Sequence, residues 1–223
     1  MVDNKTGGRA AVVTGLGLAL FLPIFMAILP AAGLDQTDAT NPAALDAFVR
    51  HHFAFFALPY LDGLVLHVAG TVAVLGVHRW LTDRSPWVLA ATVGGLGWMV
   101  LDVAQNGMAL YGSHEIARHA SAAVSGPQLV LVGQLTTGLR LAAHVLGGLW
   151  VLTISAVALR HTAAPRGLGW LGVVAGALMT VNVVVPPTQA PLFVLLPIWF
   201  VWLGSHLGRA NHPNVRQDYV ATT

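Results

Sequence analysis

The chain has no cysteine among its 223 residues. That absence excludes thiol nucleophiles, disulfides, cysteine-ligated iron–sulfur centres and cysteine-based zinc sites together. Lysine occurs once, at Lys5 in the polar N-terminal segment. No buried amine therefore exists to form a Schiff base with retinal or another aldehyde. Charge of either sign is scarce, since 9% of residues are Asp, Glu, Lys or Arg and 56% are hydrophobic. The basic residues are spread thinly over loop ends rather than gathered in a stripe, which argues against a nucleic-acid partner. Low-complexity tracts are absent as well.

What the chain has instead is apolar length. Six apolar stretches lie at roughly 10–32, 53–78, 87–111, 135–159, 167–186 and 190–208. A helix of about 20 apolar residues crosses a ~30 Å hydrocarbon core, so the sequence predicts an all-α bundle of six transmembrane helices. One membrane domain over 1–210 and a polar cytoplasmic tail over 211–223 account for the chain. Pro86 and Pro165 stand just ahead of the third and fifth spans, where a missing amide donor costs least. The Pro186-Pro187 pair stops the fifth, and Pro59 and Pro197 fall inside spans. The first run, at about 20 residues, exceeds the 7–15 of a signal-peptide core and is read as a retained span.

Cytoplasmic loops carry the excess of Lys and Arg. With the N-terminus inside, the inner face holds Lys5, Arg9, Arg79, Arg84, Arg160, Arg166, Arg209 and Arg216, and the outer face only Arg50 and Arg118. The bias places both termini in the cytoplasm, with the lipid bilayer as the first partner. The first outer loop is acidic, and Asn41-Pro42-Ala43 reads as the start of a short helix leading into the second span. The second, Gly112 to Gln128, reads as a loop closed by a Gly126-Pro127 turn. A faint internal repeat also appears. His67-Val68-Ala69-Gly70 and His144-Val145-Leu146-Gly147 are each followed by Gly-Leu-Gly-Trp, at 95–98 and 167–170.

Two motifs resemble known chemistry and lack its context. Gly167-Leu168-Gly169-Trp170-Leu171-Gly172 has the spacing of a dinucleotide-binding turn. That turn needs a preceding strand and an acidic residue about 20 positions on, whereas here it opens a membrane span. Its glycines read as close-packing positions between helices. His114-Glu115-Ile116-Ala117-Arg118-His119 resembles a zinc-protease helix, but its histidines are five apart and lie roughly 140° apart around the helix. No metal site is assigned.

Ionisable groups inside a bilayer cost about 2.5–3.5 kcal/mol on insertion scales and usually face the bundle interior. The chain carries Asp62 and His67 in span two, Asp102, Gln105 and Asn106 in span three, Arg140 and His144 in span four, and Asn182 in span five. Topology puts His67 near the middle and the others in the outer half, so they are expected to form one buried polar pocket or network. Asp102 and Asn106 share a helix face by their spacing of four, as do Arg140 and His144. Asp102 and Arg140 are expected to pair if spans three and four face each other. His67 and His144, on separate spans, are candidate axial ligands of a b-type haem.

The last third has a distinct cadence. Trp150 in a span is followed by Ala164-Pro165-Arg166-Gly167-Leu168-Gly169-Trp170-Leu171-Gly172, then Leu196-Pro197-Ile198-Trp199 and Trp202-Leu203-Gly204. Over roughly 140–208 this resembles the bacterial six-helix membrane proteins grouped as domain of unknown function 4386. The resemblance implies six helices in a bacterial cytoplasmic membrane and transfers no functional residue. Three functions are compatible with the residues themselves. They are a ligand-binding, sensing or accessory membrane subunit with a small-molecule or lipid ligand, a haem redox protein or membrane enzyme using His67 and His144, and a small-solute transporter. The protein partner is unspecified.

Overall fold

A computed structural model describes residues 2–35, 40–185 and 189–209, apart from the side chains of Ala122 and Gln189. The Pro186-Pro187 stop, Arg216 and the 211–223 tail lie outside the described residues. Among those described, every regular element is helical. Helix α1 (Asn4–Pro23) runs through a π-helical segment (Ile24–Ile28) into the short α2 (Leu29–Ala31). Then come α3 (Pro42–His51), α4 (Phe53–Leu81), α5 (Trp87–His119), α6 (Ala122–Arg160), α7 (Arg166–Val181) and α8 (Gln189–Arg209). Five stretches are long and apolar enough to cross a membrane, and α7 is a shorter apolar helix. The architecture is that of a multi-pass membrane protein.

Local chemistry sets the helix ends. Asp3 caps α1 by accepting from the Thr6 amide at 2.6 Å. That bond holds the Asp3 carboxyl below its ordinary range. The cap is therefore intact above the ordinary carboxylate range and is lost as pH falls through the lowered value. Asn41 caps α3 by accepting from the amides of Ala43 and Ala44, with Pro42 in the first turn. The chain breaks at His52 (φ −131°, ψ 35°) and continues as α4. Pro86 and Pro165 occupy the N-caps of α5 and α7, and Pro59 and Pro197 lie inside α4 and α8.

The six long helices form a closed ring in the order α1, α4, α5, α6, α7, α8, with α8 returning to α1. Glycines set the close crossings. A Cβ on Gly7 would meet the Gly76 backbone at 2.6 Å, joining α1 to α4. One on Gly176 would meet the Leu152 amide at 2.6 Å, joining α7 to α6. The glycine-rich run at 167–172 thus opens a helix packed on its neighbours, where Gly169 receives Leu159 and Gly172 receives Ser155 and Trp199.

The half of the ring that carries the start of α1 is filled by large side chains. Trp98, Trp150, Trp199 and Phe200 are all buried, with the Trp150 and Trp199 rings 5.7 Å apart edge to face. Two of these indoles sit over glycines of the facing helix, Trp98 on Gly147 and Trp150 on Gly95. The histidine half of the internal repeat has a spatial counterpart, because Gly70 and Gly147 flank α5 and receive Met99 and Trp98. Its Gly-Leu-Gly-Trp half does not, since Trp98 is 2% exposed and Trp170 is 61% exposed.

The segment from Gly112 to Gln128 departs from the loop expected of it. Helix α5 continues to His119, α6 starts at Ala122, and Gly126 and Pro127 lie within α6. The physical reason is a clamp. Arg50 of α3 donates to both Asp46 carboxylate oxygens (2.9 and 3.0 Å), to the carbonyls of Ala117 and Ala120, and to Ser125 Oγ. It satisfies the open carbonyls at the end of α5 and ties them to the first turn of α6. Gly126 completes the joint, because a Cβ there would lie 2.5 Å from the Pro42 carbonyl oxygen. Replacing Arg50 with alanine removes these bonds and leaves buried Asp46 without its cation. We expect a loss of about 2–3 kcal/mol, read as a lower melting temperature in detergent and faster amide exchange over 112–128.

Candidate functional site

A cavity of about 690 Å³ occupies the half of the ring nearest α3. Its volume is in the range of about 300–1,000 Å³ typical of small-molecule sites. The wall from α1, the π segment and α8 is apolar, with Leu18, Phe21, Phe25, Leu192 and Phe193. Helices α4, α5 and α6 supply the polar wall. Six of the residues singled out by sequence, His67, Asp102, Gln105, Asn106, Arg140 and His144, line this one space. Asn182 supports the wall from behind, its Nδ2 donating to His144 Nδ1 at 3.1 Å. Asp62 is not brought in. It faces α1, where its Oδ1 is 3.5 Å from the Cβ position that Gly17 leaves empty.

The floor of the cavity is a buried three-residue network. Asp102, 4% exposed, accepts from Trp98 Nε1 at 2.6 Å on Oδ2. The same oxygen lies 2.9 Å from His67 Nε2. His67 Nδ1 lies 2.5 Å from the Gly63 carbonyl. A carbonyl only accepts, so Nδ1 carries a proton. One further proton is shared between Nε2 and Oδ2, and the pair is net neutral whichever atom holds it. Asn106 locks the face from the next turn by donating to the Asp102 carbonyl at 2.7 Å. Gly63 makes room for it, since a Cβ there would lie 2.6–2.8 Å from the Asn106 amide. The other carboxylate oxygen, Asp102 Oδ1, is buried and has no hydrogen-bond partner among the described residues.

The Asp102–Arg140 pairing expected from sequence gives way to this one. Helices α5 and α6 do face each other, but Asp102 is turned toward His67 on α4. Half-buried Arg140 lines the cavity and has no ion pair or hydrogen bond among the described residues. Four residues on, Asn182 holds His144 Nδ1, and Nε2 has no hydrogen-bond partner among the described residues.

This arrangement does not fit haem ligation by His67 and His144. An axial ligand needs a free ring nitrogen, and both nitrogens of His67 are engaged, one by a backbone carbonyl and one by a carboxylate. Among the described residues no group of three or more His, Cys, Asp or Glu side chains is placed to hold a metal ion. The outer histidines stay dispersed, with His119 on Glu115 at 3.5 Å and His114 against the Phe53 ring.

Sequence reasoning missed several wall residues. Tyr60 lines the cavity seven residues before His67, a spacing that returns to the same helix face. Trp98 precedes Asp102 by four, and Thr137 precedes Arg140 by three. Helical spacing from the ionisable residues finds all three.

No protein-family model, curated protein or solved structure matches the chain. The site geometry and the membrane-length helices carry the functional argument.

Proposed function

We propose a six-span protein of the bacterial cytoplasmic membrane, both ends cytoplasmic, that binds an amphiphilic small molecule or lipid in its periplasmic half. The likeness to the domain of unknown function 4386 proteins belongs to this reading. One observation carries the binding function: a cavity with an apolar wall contains the Arg140 guanidinium, which has no ion pair or hydrogen bond among the described residues. Polar groups in such a space are normally satisfied, and a guanidinium facing it calls for a ligand that satisfies it. A receptor, sensor or accessory subunit is favoured over a transporter, because Trp98, Trp150, Trp199 and Phe200 fill the other half of the ring.

The cysteine-free background makes the test direct. Thr137→Cys places a thiol on the cavity wall, and Asp83→Cys places one on the exposed turn between α4 and α5, away from it. Monooleoylglycerol is expected to slow N-ethylmaleimide labelling of the first and not the second. Equal labelling at both positions, with and without the amphiphile, would remove the binding reading. For topology, a membrane-impermeant maleimide on intact cells is expected to label Ala43→Cys and to spare Asp83→Cys until lysis.

A further inference from the structure

Resting on that reading, we infer that the bound amphiphile has an anionic oxyacid head, a carboxylate or phosphate monoester, seated on Arg140. The molecule enters sideways from the bilayer past the end of α7.

Charge sets the sign of the head. Asp102 is the acid on the cavity wall, and its negative charge is already matched within the net-neutral pair with His67. Asp62, the next acid on α4, points to α1 instead. Among the described residues Arg140 is thus a cation without a counter-charge in a low-dielectric space, and its planar fork suits the two oxygens of a carboxylate or phosphate. A metal would need further ligands, and no such group stands among the described residues.

The walls set the route. Helix α3 closes the end of the ring above the cavity, its Leu45 part of the lining, and the Arg50 clamp fastens it to α5 and α6. Helix α7, with 16 residues, is roughly 24 Å long, whereas α6, with 39 residues, is roughly 58 Å. Beyond Val181 the face of α6 that belongs to the cavity wall stands exposed at Gly133, Gln134 and Thr137. Phe193 of α8 also lines the cavity. The cavity-lining residues exposed on this face of α6 give a head followed by an acyl chain a way in from the side. The volume suits one chain rather than a complete two-chain lipid.

Equilibrium binding to the full chain in detergent tests this with three unlabelled competitors against radiolabelled oleoyl-lysophosphatidate. That probe carries a phosphate monoester, an adjacent hydroxyl and one chain. Saturable binding is expected, weakened about tenfold or more by Arg140→Gln and partly restored in Arg140→Lys. The melting temperature of Arg140→Gln without ligand is expected to match the wild type. Unlabelled lysophosphatidate should compete best, monooleoylglycerol weakly, and glycerol 3-phosphate not at all. Equal affinity in wild type and Arg140→Gln would overturn the anionic head. Competition by glycerol 3-phosphate as strong as by the lipid would overturn entry from the bilayer, leaving a water-borne phosphate as the ligand. If neither lysophosphatidate nor monooleoylglycerol binds, the ligand-binding reading itself fails.

Discussion

Asp102→Ala is expected to destabilise the detergent-solubilised protein by about 3–5 kcal/mol, the cost of breaking a buried pair from one side. The midpoint of thermal unfolding should fall by on the order of 10 °C. The carboxylate does two jobs with one oxygen, accepting the Trp98 indole and facing His67 Nε2. Its loss strands both nitrogens in a region that is 2–6% exposed. Asn at this position does not rescue. An amide oxygen placed on Trp98 faces the His67 lone pair, and an amide nitrogen placed on His67 faces the indole hydrogen. One contact fails either way, for about 1–3 kcal/mol.

A double-mutant cycle separates this network from the alternative. Asp102 and His67 should show a coupling energy of about 0.5–3 kcal/mol, the range for groups in one hydrogen-bond network. Asp102 and Arg140 should show coupling near zero, because the structure gives them no shared bond. The reverse result would mean that Asp102 turns to Arg140 in solution, and both the tautomer argument for His67 and the free cation in the cavity would go with it.

Much of this arrangement was legible in the residues. Apolar run length specifies where helices exist, since a segment without water must bond its own backbone. The cap at Asn41-Pro42 was legible for the same local reason. Helix ends beyond the apolar runs were not. Hydropathy reports contact with lipid, whereas α5 continues to His119 because Arg50 caps its carbonyls from a segment about 70 residues away.

The site shows the same division. Burial cost alone identifies the polar residues, and their common depth follows from topology. Rotation about each helix axis then decides which of them meet. Asp62 and His67 are five apart, roughly 140° around the helix, so one wall cannot hold both. Asp102 could reach either neighbour of α5, and the choice of His67 depends on Gly63 leaving room for Asn106, whose amide lies 2.6–2.8 Å from where a Gly63 Cβ would sit. That is a packing fact between two helices, and no single segment encodes it.

The seam that closes the ring gives the other large effect. Gly204→Ala sets helix propensity against space. Alanine gains about 1 kcal/mol over glycine within a helix. Its Cβ would, however, lie 2.4 Å from the Gly8 carbonyl oxygen, 2.8 Å from Val12 Cγ2 and 2.9 Å from the Val12 amide. Two of these are backbone atoms of α1, which cannot rotate aside. The helices must part along a seam that also includes Gly15 against the Pro197 carbonyl at 2.8 Å. Overpacking of this kind costs about 1–3 kcal/mol, occasionally more, and here it removes contacts along a whole helix pair. A net loss of about 2 kcal/mol is expected, the upper end of that cost less the propensity gain. Gly107→Ala is the matched control, since nothing lies within 4 Å of its Cβ position, and it should gain up to about 1 kcal/mol. Thermal unfolding of the two variants in one detergent reads out the difference. A Gly204→Ala protein as stable as Gly107→Ala would mean that α1 is not held against α8, and with it would go the apolar wall that Leu18, Phe21 and Phe25 give the cavity.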